Sequence, residues 1–332
     1  MTLFVPSDAQ PANVPVPVSL AATADRPFWS VMIPVYNADE AYLRETLASV
    51  LSQDPGVADM QIEVIDNCST VRPPDAVVRD IGGDRIRLHR QPQNVGMAGN
   101  FNECVRRARG RWVHILHADD TVRPGFYAHL RQIIESHPGI SAALCRTLYM
   151  DLEGQWIGLS ELESRAPGLL DEGFASRQLV DQRIQFASIV VARETYERLG
   201  GFRGTLSHCM DWDMWKRVAM HGTLGYVPEP LACYRLHPSS DSSRIMRSGA
   251  NVREERRSIR LSCAELPPEE AGRLARAARR AAGVRAARRA RTLWREGDRV
   301  AAWRQVMEAL RCSWAPGVVA RSLLFVATTI VH

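Results

Sequence analysis

The sequence predicts an α/β protein built on a doubly wound, mostly parallel sheet. Three observations carry that reading. Short apolar stretches alternate with amphipathic ones from residue 28 onward, the apolar stretches stop at turn-forming or acidic residues, and no internal repeat breaks the order. Alternation of this kind needs crossover helices on both faces of a parallel sheet. Ligands then gather beyond the carboxyl ends of the strands.

The elements follow in order. Phe28 to Val35 is β-branched and aromatic, reads as the first strand, and ends in Pro34-Val35-Tyr36-Asn37. Leu43, Leu47, Val50 and Leu51 recur at helical spacing, which predicts an amphipathic helix over 40–53. Gln61 to Ile65 is a second strand, closing in Asp66-Asn67-Cys68-Ser69. Arg85 to His89 is a third, and Asn100 to Ala108 is helical. A fourth strand over 111–116 leads into His117-Ala118-Asp119-Asp120, after which Thr121-Val122-Arg123-Pro124 is expected to start a helix. Farther on, Ile140 to Met150 and Phe186 to Val191 read as strands, with an irregular stretch over 151–175 between them. A helix over 193–199 stops at Gly200-Gly201, a further helix covers Asp211 to Met220, and two short strands follow at Leu224 to Val227 and Leu231 to Leu236. From about residue 250 the chain is helical and rich in Ala and Arg.

Composition sets the class. The 332 residues are 45% hydrophobic and 24% charged, as in ordinary globular proteins. Seven scattered cysteines form no Cys-x-x-Cys pair and no zinc spacing, which fits a reducing, cytoplasmic setting. Residues 1–27 read as a flexible leader without the basic start and apolar core of a secretory signal. A folded domain is expected over 28–248, in two halves at 28–122 and 123–248, followed by a basic helical region over 249–332. Residues 251–332 carry 17 Arg against eight Asp or Glu, whereas the first 250 residues sum to −4. That region is either a solvated helical face or a surface for peripheral contact with anionic lipid; no nucleic-acid partner is expected. Ala315 to Val331, apolar but interrupted by Arg321, is shorter than a spanning helix. It is expected to be buried or to lie on a membrane surface.

The pair Asp119-Asp120 is the most telling feature. Adjacent carboxylates after a hydrophobic strand repel each other and are costly to desolvate unless a cation joins them to a ligand. Mg²⁺ or Mn²⁺ commonly bridges such carboxylates to a diphosphate. The plainer alternative is a cap for the following helix. No Gly-x-Gly-x-x-Gly follows the first strand and no P-loop is present, so a diphosphate held through a metal is favoured over a glycine-rich cradle.

Six motifs then share an order. They are Val31 to Asn37, Val64 to Thr70, Asn94 to Asn102, Leu116 to Asp120, Asp211-Trp212-Asp213-Met214-Trp215 and Tyr234-Arg235-Leu236-His237. This series resembles the family 2 glycosyltransferases over roughly 28–240, which implies the GT-A fold and inverting sugar transfer from a nucleotide-sugar donor to an acceptor hydroxyl. The resemblance implies that Asp66 accepts from the base, with Pro34 and Tyr36 lining the base pocket and Asn94 also nucleotide-binding. A turn role for Asp66 is the alternative. Asn67 departs from the commoner second Asp; uridine is the default base, with deoxythymidine and guanosine open. Asp120 is implied as the direct metal ligand, Asp119 as a ribose or metal contact, and His237 as completing the metal or diphosphate site. His117 stands where many relatives carry an acid and is expected to pack. Asp211 resembles the catalytic base, with Asp213 the alternative. Phe101 stands where many relatives carry Arg, and Arg244 and Arg247, on a loop expected to be mobile, are candidates to replace that contact to the donor diphosphate. The acceptor is a glycan, a lipid-linked or another hydroxyl compound, in cell-surface polysaccharide or glycoconjugate synthesis. A nucleotidyltransferase and a non-catalytic binding protein are the competing readings.

Overall fold

The computed structural model describes residues 26–237 and 241–322, apart from the side chains of 241–244. Its first half is a parallel α/β unit. Strands β1 (Trp29–Val35), β2 (Met60–Asp66), β3 (Arg87–Arg90) and β4 (Trp112–Ile115) alternate with helices α1 (Glu40–Leu51), α2 (Asp75–Gly82) and α3 (Gly96–Arg107). They pair in parallel in the order β3-β2-β1-β4. Every residue of β1 and β2 is buried, as strands covered on both faces require. Asp39 caps α1 through its side chain, accepting from the Ala41 backbone N–H.

The aspartate loop departs from expectation. Thr121–Val122 forms a two-residue strand, β5, instead of opening a helix, and α4 (Phe126–Ser136) starts one turn later behind Gly125. Val122 and Thr121 pair antiparallel with Ala232 and Cys233, and that pairing outcompetes the helix signal from Pro124. The plain capping role for Asp119-Asp120 therefore falls away: neither residue is at a helix start.

In the second half, β6 (Ala142–Met150) carries two short strands nearby, the exposed β7 (Trp156–Leu159) and β8 (Gly168–Leu169), before α5 (Phe174–Val180). A 3-10 turn at Phe186–Ser188 leads into β9 (Ile189–Ala192), which inserts antiparallel between β4 and β6. Helices α6 (Arg193–Leu199) and α7 (Met210–His221) precede β10 (Leu224–Arg235). The two strands expected around Pro228 and Pro230 are this one strand, because its parallel pairing with β6 continues across a bulge between Val227 and Ala232. Since β9 opposes both β4 and β6, and β10 parallels β6, the C-terminal end of β10 lies on the same sheet edge as those of β1, β2 and β4.

Helices α8 (Asp241–Ser248), α9 (Ala250–Cys263), α10 (Pro268–Arg295) and α11 (Arg299–Cys312) form a bundle against α5 and α7. By its packing α8 belongs to this bundle, so the helical region starts before residue 249: Arg247 pairs with Asp298, and Gln305 Nε2 donates to the Met246 carbonyl. The chain's single lysine, Lys216, is buried at the joint, donating to Ser258 Oγ at 2.8 Å with its ammonium over the Trp212 ring. No described helix is long and apolar enough to cross a membrane. The leader up to residue 25, and 323–331 of the apolar C-terminal stretch, lie outside the described residues. All seven cysteines are free.

His114 occupies the middle of the sheet, fully buried, with Nδ1 3.1 Å from the Tyr127 hydroxyl and Nε2 3.2 Å from the Ala187 carbonyl. Burial holds its pKa down at about 3. An unfolded histidine titrates near 6.5, so between these values the unfolded chain binds the extra proton. His114 therefore makes stability fall as pH drops below 6.5 toward 3, by up to about 1.4 kcal/mol per pH unit. Unfolding titrations across this range should show that slope, and His114→Gln should flatten it. An unchanged slope would assign the effect elsewhere.

Candidate active site

A cleft of about 700 Å³ opens at the edge where β1, β2, β4 and β10 end. Four of the residues expected around the nucleotide line it, namely Pro34, Tyr36, Asn94 and Asp119, together with His237. Two loops are locked to each other to make its wall. Asn37, with φ of 50°, accepts from the backbone N–H groups of Thr70, Val71 and Arg72 through Oδ1, and its own N–H donates to Ser69 Oγ. Asn67 accepts from Val95 N–H and donates to Asn94 Oδ1 and the Gly96 carbonyl. A carboxylate could accept the first bond but not donate the other two. The Asn67 departure is thus tied to Asn94, which braces the loop as well as lining the cleft.

Asp66 sits behind this wall. It is 1% exposed, accepts from Ser69 N–H at 3.0 Å, and lies 3.4 Å from Arg90. It is not among the lining residues, whereas its neighbour Asn67 is. The structure shows the Ser69 turn contact directly, made by Oδ1, while the buried Oδ2 has no hydrogen-bond partner among the described residues.

The aspartate pair is split by its surroundings. Asp120 is fully buried; its Oδ1 accepts from Arg235 N–H at 2.9 Å, while Oδ2 has no hydrogen-bond donor. Burial, then the charge of Asp119, pushes its pKa well above the usual carboxylate range. Asp119 is part-exposed, and His237 Nε2 lies 2.9 Å from its Oδ2. Burial would raise its pKa, but the histidines 237 and 117 outweigh this and hold it low. His117, expected to pack, does so, and its ring also stands beside the aspartate pair. Its ring stacks on Phe101 at 5.3 Å and packs on Phe186, while Nδ1 stands 4.0 Å from Asp120 Oδ2. Ligand atoms of His117, Asp119 and Asp120 all fall within 4.8 Å of one another. An undonated, buried carboxylate oxygen beside a second carboxylate and an imidazole suits a divalent cation. His237 sits on the outer side of Asp119, outside that trio.

Arg235, part of a quoted motif but given no role by it, fixes this loop. Buried at 2% exposure, its Nε donates to the Asp119 carbonyl and its NH1 to the Leu152 carbonyl, both at 3.0 Å, while NH2 pairs with Glu45 and the guanidinium lies over Tyr42. Among the described residues, the arginine that lines the cleft is Arg72. Arg247 lies outside the lining, paired with Asp298 and near Glu296, and its segment is helix α8 instead of a loop. The side chain of Arg244 lies outside the described residues.

At the far side, α7 brings Asp211 in on its first turn. Gln182 Nε2 donates to Asp211 Oδ2 at 2.7 Å. Burial raises its pKa, against smaller opposing effects from the Trp212 backbone N–H and His208, and it lies close enough to His117 for their charges to interact. Asp213 is different in kind: fully buried between Arg203 at 2.8 Å and Arg217 at 3.1 Å. That pairing removes it as the alternative base. Glu254, from α9, was not legible in the sequence. Its carboxylate accepts from the backbone N–H groups of Ser207, His208 and Cys209, steadying the turn that starts α7.

The sequence model of glycosyl transferase family 2 matches residues 30–189. Those 160 of the 332 residues are a glycosyl transferase family 2 region. It is 26% identical over 247 residues to an uncharacterised protein of Mycobacterium tuberculosis, covering 70% of this chain and 74% of that one. It is 28% identical over 229 residues to the O-antigen biosynthesis protein RfbC of Myxococcus xanthus, covering 68% of this chain but only 17% of that longer protein. Among solved structures, a mannosyltransferase of Pyrobaculum calidifontis in complex with GDP-Man and Mn²⁺ superposes with a TM-score of 0.58 at 18% identity, over 92% of this chain and 81% of that one. The family 2 domain thus carries the GT-A fold, with the aspartate pair at the strand edge where donor chemistry is expected.

The two α7 aspartates should separate under mutation. Asp213→Asn leaves two buried arginines short of a counter-charge and should cost about 3 kcal/mol or more in chemical unfolding. Asp211→Asn removes a desolvated charge, so its stability should equal or exceed that of the wild type. Equal losses for both would mean that Asp211 is structural.

Proposed function

We propose that this family 2 protein is an inverting, divalent-cation-dependent glycosyltransferase that moves a sugar from a nucleoside diphosphate to an acceptor hydroxyl. The observation that carries the reading is the placement of two differently tuned carboxylate sites around His117, which lines the cleft: Asp119 with Asp120 in the loop after β4, and Asp211 on α7.

The nucleoside would lie against Pro34 and Tyr36, with Asn94 and Asn67 setting the wall and Asp66 supporting it from behind. Asp120, Asp119 and His117 would hold Mn²⁺ or Mg²⁺, which when bound offsets the charge of the diphosphate leaving group. His237 orients Asp119, and Arg72 offers a further cation at the cleft. Asp211 takes the proton from the acceptor hydroxyl as that oxygen bonds to the anomeric carbon and the carbon–diphosphate bond breaks on the opposite face. Gln182 holds one carboxylate oxygen, leaving the other for the acceptor. Uridine is the base favoured by the family resemblance; guanosine is the base in the Pyrobaculum complex. A lipid-linked glycan is the proposed acceptor, at the cytoplasmic face of a membrane, in polysaccharide assembly.

A panel of nucleotide sugars incubated with Mn²⁺ and acceptor glycolipids should release nucleoside diphosphate from one donor, and the product's anomeric configuration, read by NMR, should be opposite to the donor's. Asp211→Asn should lower kcat by roughly 10²- to 10⁴-fold. Because Asp211 must be ionised and its pKa is raised, the rate should climb with pH through that raised value and level off above it. A retained configuration, or full activity in Asp211→Asn, would refute this assignment.

A further inference from the structure

Helix α10 divides its arginines by direction. Leu274, Ala278, Ala282, Ala286, Ala290 and Leu293 bury one side of it in the bundle. Arg285 and Arg289 turn inward, both paired with Glu255. On the side opposite the buried one, Arg273, Arg276, Arg280, Arg288, Arg291 and Arg295 are all exposed at spacings of three, four or twice four residues. That row spans about 33 Å at 1.5 Å per residue. From Ala271 to Arg295 the sequence has no acidic residue. Within the row only Arg273 has an acidic partner among the described residues, Glu270 at 4.0 Å. Like charges packed along a helix destabilise it, so a surface of this kind calls for a counter-charge from outside.

We propose that this row is a docking face for an anionic lipid surface. Charge complementarity argues for it: six exposed arginines along one face of a helix match a surface of negative headgroups. The row holds no aromatic platform and no Asn or Gln, the groups that stack bases or sugars and read their edges. Headgroups need charge alone. Docking also has a consequence for transfer. Arg280, Val284 and Arg288 line a groove with Asp181, whose neighbour Gln182 holds Asp211. The row therefore adjoins the acceptor side of the molecule. This deepens the lipid-linked reading above, although the binding itself requires no acceptor.

The test uses the full chain with vesicles of phosphatidylcholine alone or mixed with phosphatidylglycerol, and sedimentation as readout. The protein should bind the mixed vesicles, ignore the neutral ones, and release with added salt. Each basic residue near an anionic surface strengthens binding roughly fivefold, so R276Q/R280Q/R288Q/R291Q should weaken it at least about a hundredfold. The same variant should keep its melting temperature and its acceptor-free donor hydrolysis. Absence of binding to mixed vesicles, or binding untouched by the four substitutions, overturns the proposal. So does a preference for heparin or single-stranded RNA over the vesicles. Vesicle binding by a protein that turns over no donor would refute the enzymatic reading and leave this one standing.

Discussion

One buried guanidinium organises the donor end of this molecule. Arg235 closes β10 and at the same time reaches the Asp119 carbonyl, the loop at 151–152, Glu45 of α1 and the face of Tyr42, while its backbone N–H holds Asp120. A buried cation is tolerated only when its hydrogens are matched, and here the partners are drawn from three separate segments: the aspartate loop, residues 151–152 and α1. The aspartate loop cannot relax toward solvent without breaking that set. Asp120 is consequently kept in a place where its free oxygen is poorly solvated, which costs stability and leaves it suited to a cation.

The site's departures from the family pattern come in pairs. His117 and Phe101 replace an acid and an arginine in many relatives, and the two rings stack on each other. Phe186 and Phe202 extend that stack into an apolar floor. Asn67 and Asn94 are coupled in the same way through a side-chain bond. Across the cleft, the helical region is joined to the base helix: Glu254 holds the turn before α7, Lys216 meets Ser258, and Glu265 pairs with Arg203 and His221. The region that looks like an appendage by composition is part of the support for Asp211.

Much of this was legible from local patterns. Strand ends with Asp, Asn or Pro marked the edge of the sheet, and the parallel half followed from alternation alone. What stayed hidden depends on distant pairing. The short strand at Thr121–Val122 exists because Ala232 and Cys233 are there to pair with it, and β10 runs through two prolines because β6 tolerates a bulge. Asp211 and Asp213 look alike in the sequence; only the arginines at 203 and 217 distinguish them. Arg247, a candidate donor contact by sequence, pairs instead with Asp298, 51 residues farther along the chain. Arg235 was in plain sight, yet a histidine two residues away drew the functional reading.

The central claim is that the loop held by Arg235 binds the diphosphate through a cation. Calorimetric titration of UDP and GDP with and without Mn²⁺ tests it most directly, using the wild type and Asp120→Asn. For the wild type, Mn²⁺ should tighten one nucleotide by at least about tenfold, within the usual range of coupling between two ligands, and Asp120→Asn should abolish that gain. Nucleotide affinity that is the same with and without Mn²⁺, or a gain that survives Asp120→Asn, would contradict the claim.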